Sequence, residues 1–142
     1  MGGYAAFRWA MNRPDLFCAA GSFAGSLLMD DIFRKFLEGT QPGGDDFYTA
    51  FGTLDRMVET DNDIFYMVRK NQKEGKPLPR MFMVCGTEDF GYRQNVAARD
   101  RLIAEGCDVT WHTSPGIHSM DCWDPFIPTF FDWLNGKKEG AM

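Results

Sequence analysis

The stretch Met81-Phe82-Met83-Val84-Cys85-Gly86-Thr87-Glu88-Asp89 decides the fold. Five apolar residues run without a polar break into a glycine turn, and two carboxylates follow. A continuous apolar run of that length, bounded by turn signals, reads as a strand buried on both faces, as in a parallel sheet. Met81 to Cys85 is therefore predicted as a strand. A second strand, Asp108 to Thr113, runs into Ser114-Pro115-Gly116-Ile117-His118, and His118 stands 29 positions after Asp89. A carboxylate and an imidazole thus both follow the carboxyl ends of strands, where open α/β sheets place their chemistry.

Working outward, Arg93 to Glu105 reads as a helix joining these strands, with Val96, Ala97, Leu102 and Ile103 on its inner side and Gly106 ending it. Near the amino end, Tyr4 to Asn12 has the composition of a helix buried on most sides, stopped by Pro14. Phe17 to Phe23 reads as a short buried strand. Leu27 to Leu37 follows as a helix with Leu28, Ile32, Phe33 and Phe36 at helical spacing and Gly39 as its cap. Gln41 to Asp46 is a loop, and the aromatic segment Phe47 to Val58 is read as irregular or briefly helical, lying over the sheet edge or near a substrate entrance. Asp61 is placed as the cap of a helix from Asn62 to Lys73, closed by Gly75. Pro125 opens a last helix to Leu134, and residues 137–142 form a disordered tail. Strands alternating with helices give an α/β class: about three parallel strands with flanking helices in one domain, residues 1–136.

Composition narrows the function classes. A chain of 142 residues with 44% hydrophobic and 25% charged residues can bury a core. Its net charge of −5, with scattered Lys and Arg, argues against a nucleic-acid partner. No apolar run reaches the ~20 residues of a membrane helix. The four cysteines, Cys18, Cys85, Cys107 and Cys122, have no metal-like spacing with the two histidines. No metal is expected, and a reducing, cytoplasmic setting is the simpler reading, with Cys18 and Cys85 as buried hydrophobes. The amino terminus lacks a signal-peptide pattern, although a leader upstream of Met1 would escape this reading.

Five stretches together carry a resemblance: Met1-Gly2-Gly3-Tyr4-Ala5-Ala6, Arg13-Pro14-Asp15-Leu16-Phe17, Gly21-Ser22-Phe23-Ala24-Gly25, Cys85-Gly86-Thr87-Glu88-Asp89-Phe90, and Gly116-Ile117-His118 with Trp123 following. The chain resembles the C-terminal half of an α/β-hydrolase of the esterase D type, a group that includes tributyrin esterases, S-formylglutathione hydrolases, acetylxylan esterases and feruloyl esterases. The resemblance implies a serine carboxylesterase acting on small acyl esters or thioesters without a cofactor. It also implies the chain order nucleophile, acid, base. Met1-Gly2-Gly3-Tyr4 matches the back half of a Gly-Xaa-Ser-Met-Gly-Gly elbow, so the family's nucleophile would stand immediately before Met1. By the same match Asp89 is the triad acid, His118 the base, and the backbone nitrogen of Met1 an oxyanion-hole donor.

Residue chemistry alone leaves alternatives. Glu88 could reach a histidine from the same turn as Asp89, and Asp121 and Asp124 flank the histidine loop. His112 lies mid-strand and is read as structural. Ser22, Ser26, Ser114 and Ser119 lie near the same edge, but none sits at a sharp strand-to-helix elbow. The chain by itself is therefore expected to be inactive: a truncated hydrolase domain, or a half that associates with another chain. The strand Cys18 to Phe23 would be an unprotected edge, favouring homo-oligomers.

Overall fold

The computed structural model describes residues 1–39 and 44–136. Its elements are α1 (Gly2–Asn12), β1 (Ala19–Phe23), α2 (Met29–Leu37), α3 (Gly44–Phe51), α4 (Ile64–Lys73), β2 (Arg80–Gly86), α5 (Tyr92–Ala104), β3 (Val109–Ser114), α6 (Met120–Trp123) and α7 (Ile127–Leu134). Short 3-10 turns occupy Leu54–Arg56 and Asp124–Phe126. The three strands form one parallel sheet in the order β1-β2-β3, with Ala19 opposite Arg80 and Met81 opposite Val109.

The central strand explains the uninterrupted apolar run. Every residue of β2 from Met81 to Gly86 is buried, because helices cover both faces. On one face Met81 and Met83 join Phe7 and Met11 of α1, Phe65 and Val68 of α4, and Ala98 and Leu102 of α5. On the other, Phe82 packs 5.3 Å from both Phe130 and Trp133 of α7 and 4.8 Å from His112, which takes a packing position within β3. The indole Nε1 of Trp133 donates to Thr110 Oγ1 at 2.9 Å, pinning α7 to β3. A three-layer α/β arrangement results.

Helix α1 buries Tyr4, Phe7, Ala10 and Met11, a stripe at helical spacing. Buried Asn71 of α4 donates to the Met11 carbonyl at 2.7 Å, and the Tyr4 hydroxyl donates to the Asn62 carbonyl at 2.7 Å. These bonds satisfy polar groups that the core would otherwise strand. At the amino end of α1, a Cβ on Gly3 would run into Ser22 Oγ and come 3.0 Å from Gly25 Cα, so only glycine allows this approach. Gly2 meets nothing within 4 Å. The close packing therefore falls to Gly3 and not to Gly2.

Several sequence expectations need correction. Asp63, not Asp61, caps α4: its carboxylate accepts from the amides of Phe65 at 3.0 Å and Tyr66 at 3.1 Å. Asp61 instead faces Lys70 at 3.6 Å. β1 begins at Ala19, and Cys18 is exposed because its side chain falls beyond the end of the ladder. Cys85 is buried as expected. The buried face of α5 is Asn95, Ala98 and Leu102, leaving Ala97 and Ile103 outside. A residue adjacent to a buried one on a helix points about 100° away from it, which turns Ile103 outward. The aromatic segment is helical from Gly44, and Phe47 packs 4.4 Å from Phe36 and Phe51 5.8 Å from Tyr4, so it lies on α2 and α1. The last helix opens as a 3-10 turn that holds Pro125 and is α-helical only from Ile127 to Leu134. Residues 41–43 of the expected loop and the tail 137–142 lie outside the described residues. No described helix is long and apolar enough to cross a membrane.

Candidate active site

Both strands β2 and β3 deliver a loop to the same edge of the sheet because they are parallel neighbours. The turn after β2 closes with Asp89 N donating to the Gly86 carbonyl at 3.1 Å, which aims the Asp89 side chain inward. The loop after β3 brings His118 back over the sheet before α6 begins. Asp89 Oδ2 and His118 Nδ1 stand 2.8 Å apart. The other carboxylate oxygen, Oδ1, accepts from the Gly91 amide at 2.7 Å. A carboxylate only accepts, so Nδ1 carries the proton and Nε2 is left as the basic nitrogen of the ring.

Burial divides the pair. The Asp89 side chain is 0% exposed while that of His118 is 38% exposed, so the carboxylate is sealed beneath an imidazole that faces the solvent. Water cannot compete for the carboxylate, which strengthens the bond. The imidazole is also held by its neighbours. Phe90 lies 4.8 Å from the ring and Trp123 meets it edge-on at 4.7 Å, with an interplanar angle of 87°. Phe90 itself is 87% exposed, an apolar surface placed beside the base.

The other named candidates are placed apart. Glu88 is exposed, and its backbone amide donates to the Gly116 carbonyl at 3.0 Å. Asp121 and Asp124 are exposed, and neither is bonded to His118. Ser22 is buried, with its hydroxyl accepting from the Gly25 amide at 3.2 Å. Ser114 Oγ lies 3.8 Å from Cys122 Sγ, Ser119 precedes α6 without a side-chain capping bond, and Ser26 lines a groove of about 510 Å³. Among the described residues no serine hydroxyl is bonded to His118. Met1 is 59% exposed and caps α1, its carbonyl accepting from the Ala5 amide at 3.0 Å. The contact of Gly3 with Ser22 and Gly25 puts this helix terminus at the carboxyl end of β1, the same edge as the Asp89–His118 pair.

Charge and burial act on two thiols, Cys85 near the end of β2 and Cys107 ahead of the opposite end of β3. Burial, helped by the negative charge of Asp89, pushes the Cys85 thiol up to about 12, and burial pushes Cys107 up to about 11. Both are poor nucleophiles at neutral pH. Among the described residues no group of His, Cys, Asp and Glu is arranged to hold a metal ion.

Sequence reasoning missed the backbone amide of Gly91 and the buried Asn95, whose Nδ2 donates to the Gly91 carbonyl at 3.1 Å behind the acid loop. The Gly after Asp89-Phe90 was the available signal, since a glycine two residues past an aspartate favours a side-chain-closed turn.

No family model matches the sequence. The chain is 28% identical over 137 residues to an acetyl esterase of Caldicellulosiruptor saccharolyticus, covering 95% of this chain and 52% of that protein. It superposes with a TM-score of 0.75 on an S-formylglutathione hydrolase of Staphylococcus aureus, at 25% identity over 94% of this chain and 51% of the other. The fluorophosphonate-binding serine hydrolase F of the same organism gives the same score and identity, covering 94% and 50%. A ferulic acid esterase at 18% identity, with a TM-score of 0.65, shares the fold. The chain spans about half the length of each relative it matches. With a parallel three-stranded sheet, a carboxylate and an imidazole joined at its carboxyl edge, and these likenesses over nearly its whole length, the chain is similar to esterases of the α/β-hydrolase fold.

Proposed function

We propose that this chain supplies the acid and base of a serine carboxylesterase of the esterase D type, acting on small acyl esters or thioesters. The observation that carries the reading is the 2.8 Å contact between a fully buried carboxylate and a partly exposed imidazole. In this reading a serine standing directly before Met1 attacks the acyl carbon, and His118 Nε2 takes its proton. Asp89 holds the Nδ1 proton and stabilises the imidazolium. His118 then gives the proton to the departing alcohol or thiol, and water cleaves the acyl-enzyme by the same route in reverse. The Met1 backbone nitrogen, at the start of an 11-residue helix, would donate to the oxyanion, where the helix dipole also favours negative charge. None of these steps calls for a cofactor, and the free thiols suit a cytoplasmic setting.

The test joins the chain to an upstream segment that brings the preceding strands and ends in Gly-Xaa-Ser. In the joined protein Asp89→Asn and His118→Ala should each lower kcat for p-nitrophenyl acetate by about 10⁴-fold. The double variant should be no worse than the poorer single one, since the groups act as a unit. An active joined protein that keeps its rate without His118 would overturn the assignment.

A second reading, an inactive half that associates with another chain, is favoured by the open side of β1. Among the described residues that strand pairs with β2 alone, and Leu16, three residues before it, and Trp9, on the helix packed against it, are 62% and 61% exposed. An unpaired strand edge next to apolar surface recruits a partner, either a second copy or the complementary half of the fold.

A further inference from the structure

We propose that Gly86, Gly116 and Cys122 are positioning residues that lock the acid loop to the base loop, and that this lock sets the Asp89–His118 contact. The inference rests on reading that pair as acid and base.

The β2–β3 ladder does not stop where the strands end. Gly86 pairs with Ser114 as the last residue of each strand, and then Thr87 N donates to the Ser114 carbonyl at 2.9 Å and Glu88 N to the Gly116 carbonyl at 3.0 Å. The two loops are therefore bonded to each other one residue before Asp89 and two residues before His118. This continuation requires very close backbone approach. A Cβ on Gly86 would collide with the Gly116 carbonyl oxygen and come within 2.8 Å of Cys122 Sγ. Gly116 has φ +148, a conformation closed to L side chains, and a Cβ there would come 2.9 Å from Cys122 Sγ.

Cys122 thus fills the one space that the two glycines leave. It is buried in α6, four residues after His118, and its sulfur also lies 3.8 Å from Ser114 Oγ. The thiol braces the base loop from below while the Glu88 amide holds it from the side. A side chain at position 86 would push the Gly116 carbonyl off the Glu88 amide and carry His118 with it. A displacement of about 1 Å takes a 2.8 Å contact beyond hydrogen-bonding range.

The readout is the bond itself, so the lock can fail while the functional reading stands, and the reverse. The 142-residue chain is labelled with ¹⁵N histidine, and the His118 Nδ1 proton is observed by NMR. Held by a buried carboxylate, it should give a downfield resonance that Asp89→Asn abolishes. Gly86→Ala should lose that resonance while dispersed methyl signals show an intact core. Cys122→Ala should at least broaden it or shift it upfield. Leu102→Ala, which opens a cavity in the core, should lower Tm and leave the resonance in place, separating positioning from general stability. If Gly86→Ala does not fold, Cys122→Ala decides alone. An unchanged wild-type resonance in Cys122→Ala overturns the proposal, as does its loss in Leu102→Ala at temperatures where that variant is folded, or its absence from the unaltered chain.

Discussion

At the β2–β3 corner, two loops close on one another through backbone bonds and end in a sealed carboxylate under an imidazole. At the β1 corner of the same sheet edge, Met1 ahead of α1 is exposed, and among the described residues β1 carries pairing on one side only. The contrast shows that two adjacent parallel strands suffice to bring a carboxylate and an imidazole together, because each strand end is fixed by the other. An elbow needs a strand entering it as well as a helix leaving it. Gly3, Ser22 and Gly25 pack α1 closely against the end of β1, and under the proposed function this contact is the helix side of such an elbow.

Substitutions on the central strand and ahead of the outer one should therefore differ most in stability. Phe82→Ala removes a fully buried ring on the central strand, and should destabilise by about 3 to 5 kcal/mol in urea unfolding. Leu16→Lys, at an exposed position three residues before β1, should change stability by less than about 0.5 kcal/mol while reducing self-association in concentration-dependent size-exclusion runs. Equal losses of stability at both sites, or a monomeric wild type at high concentration, would erase the contrast.

An intermediate effect is expected at the α4 cap, which ties the α1 side of the core. Asp63→Ala leaves the amides of Phe65 and Tyr66 without their acceptor and should lower stability by about 0.5 to 2 kcal/mol. Asp61→Ala should do much less, since its ion pair with Lys70 is exposed. A reversal of that order in denaturation midpoints would return the cap to Asp61.

The thiols divide by burial in the same way. Exposed Cys18 should react with Ellman's reagent in the native protein well before Cys85, Cys107 and Cys122. The folded chain also keeps the Cys85 and Cys107 protons up to about 12 and about 11, whereas an ordinary thiol loses its proton near 9.0. Between those values the unfolded chain binds fewer protons than the folded one, so stability should be intact below pH 9 and fall progressively above it. Urea midpoints that stay level from pH 9 to 11 would contradict the burial of both thiols.

The features that sequence made legible were those encoded in contiguous residues. The run Met81 to Cys85 into Gly86 announced a buried strand, and the two strand-ending motifs placed Asp89 and His118 at one edge because parallel strands share a direction. What escaped depends on contacts that a local pattern does not carry. The segment Asp61-Asn62-Asp63 offers two aspartates as caps, and only the helix start at Ile64 selects the second. Cys18 reads as apolar, yet the ladder begins one residue later. The fit of Cys122 against Gly86 and Gly116 joins three positions across two loops, so no spacing in either motif reveals it.

Whether the acid and base here await a nucleophile from outside the chain is tested most directly by p-nitrophenyl acetate hydrolysis with the 142-residue chain alone, beside its His118→Ala form. The account predicts equal rates for the two, because no serine among the described residues is bonded to His118. His118-dependent hydrolysis by the chain alone would contradict it, and would make one of Ser22, Ser26, Ser114 or Ser119 the nucleophile.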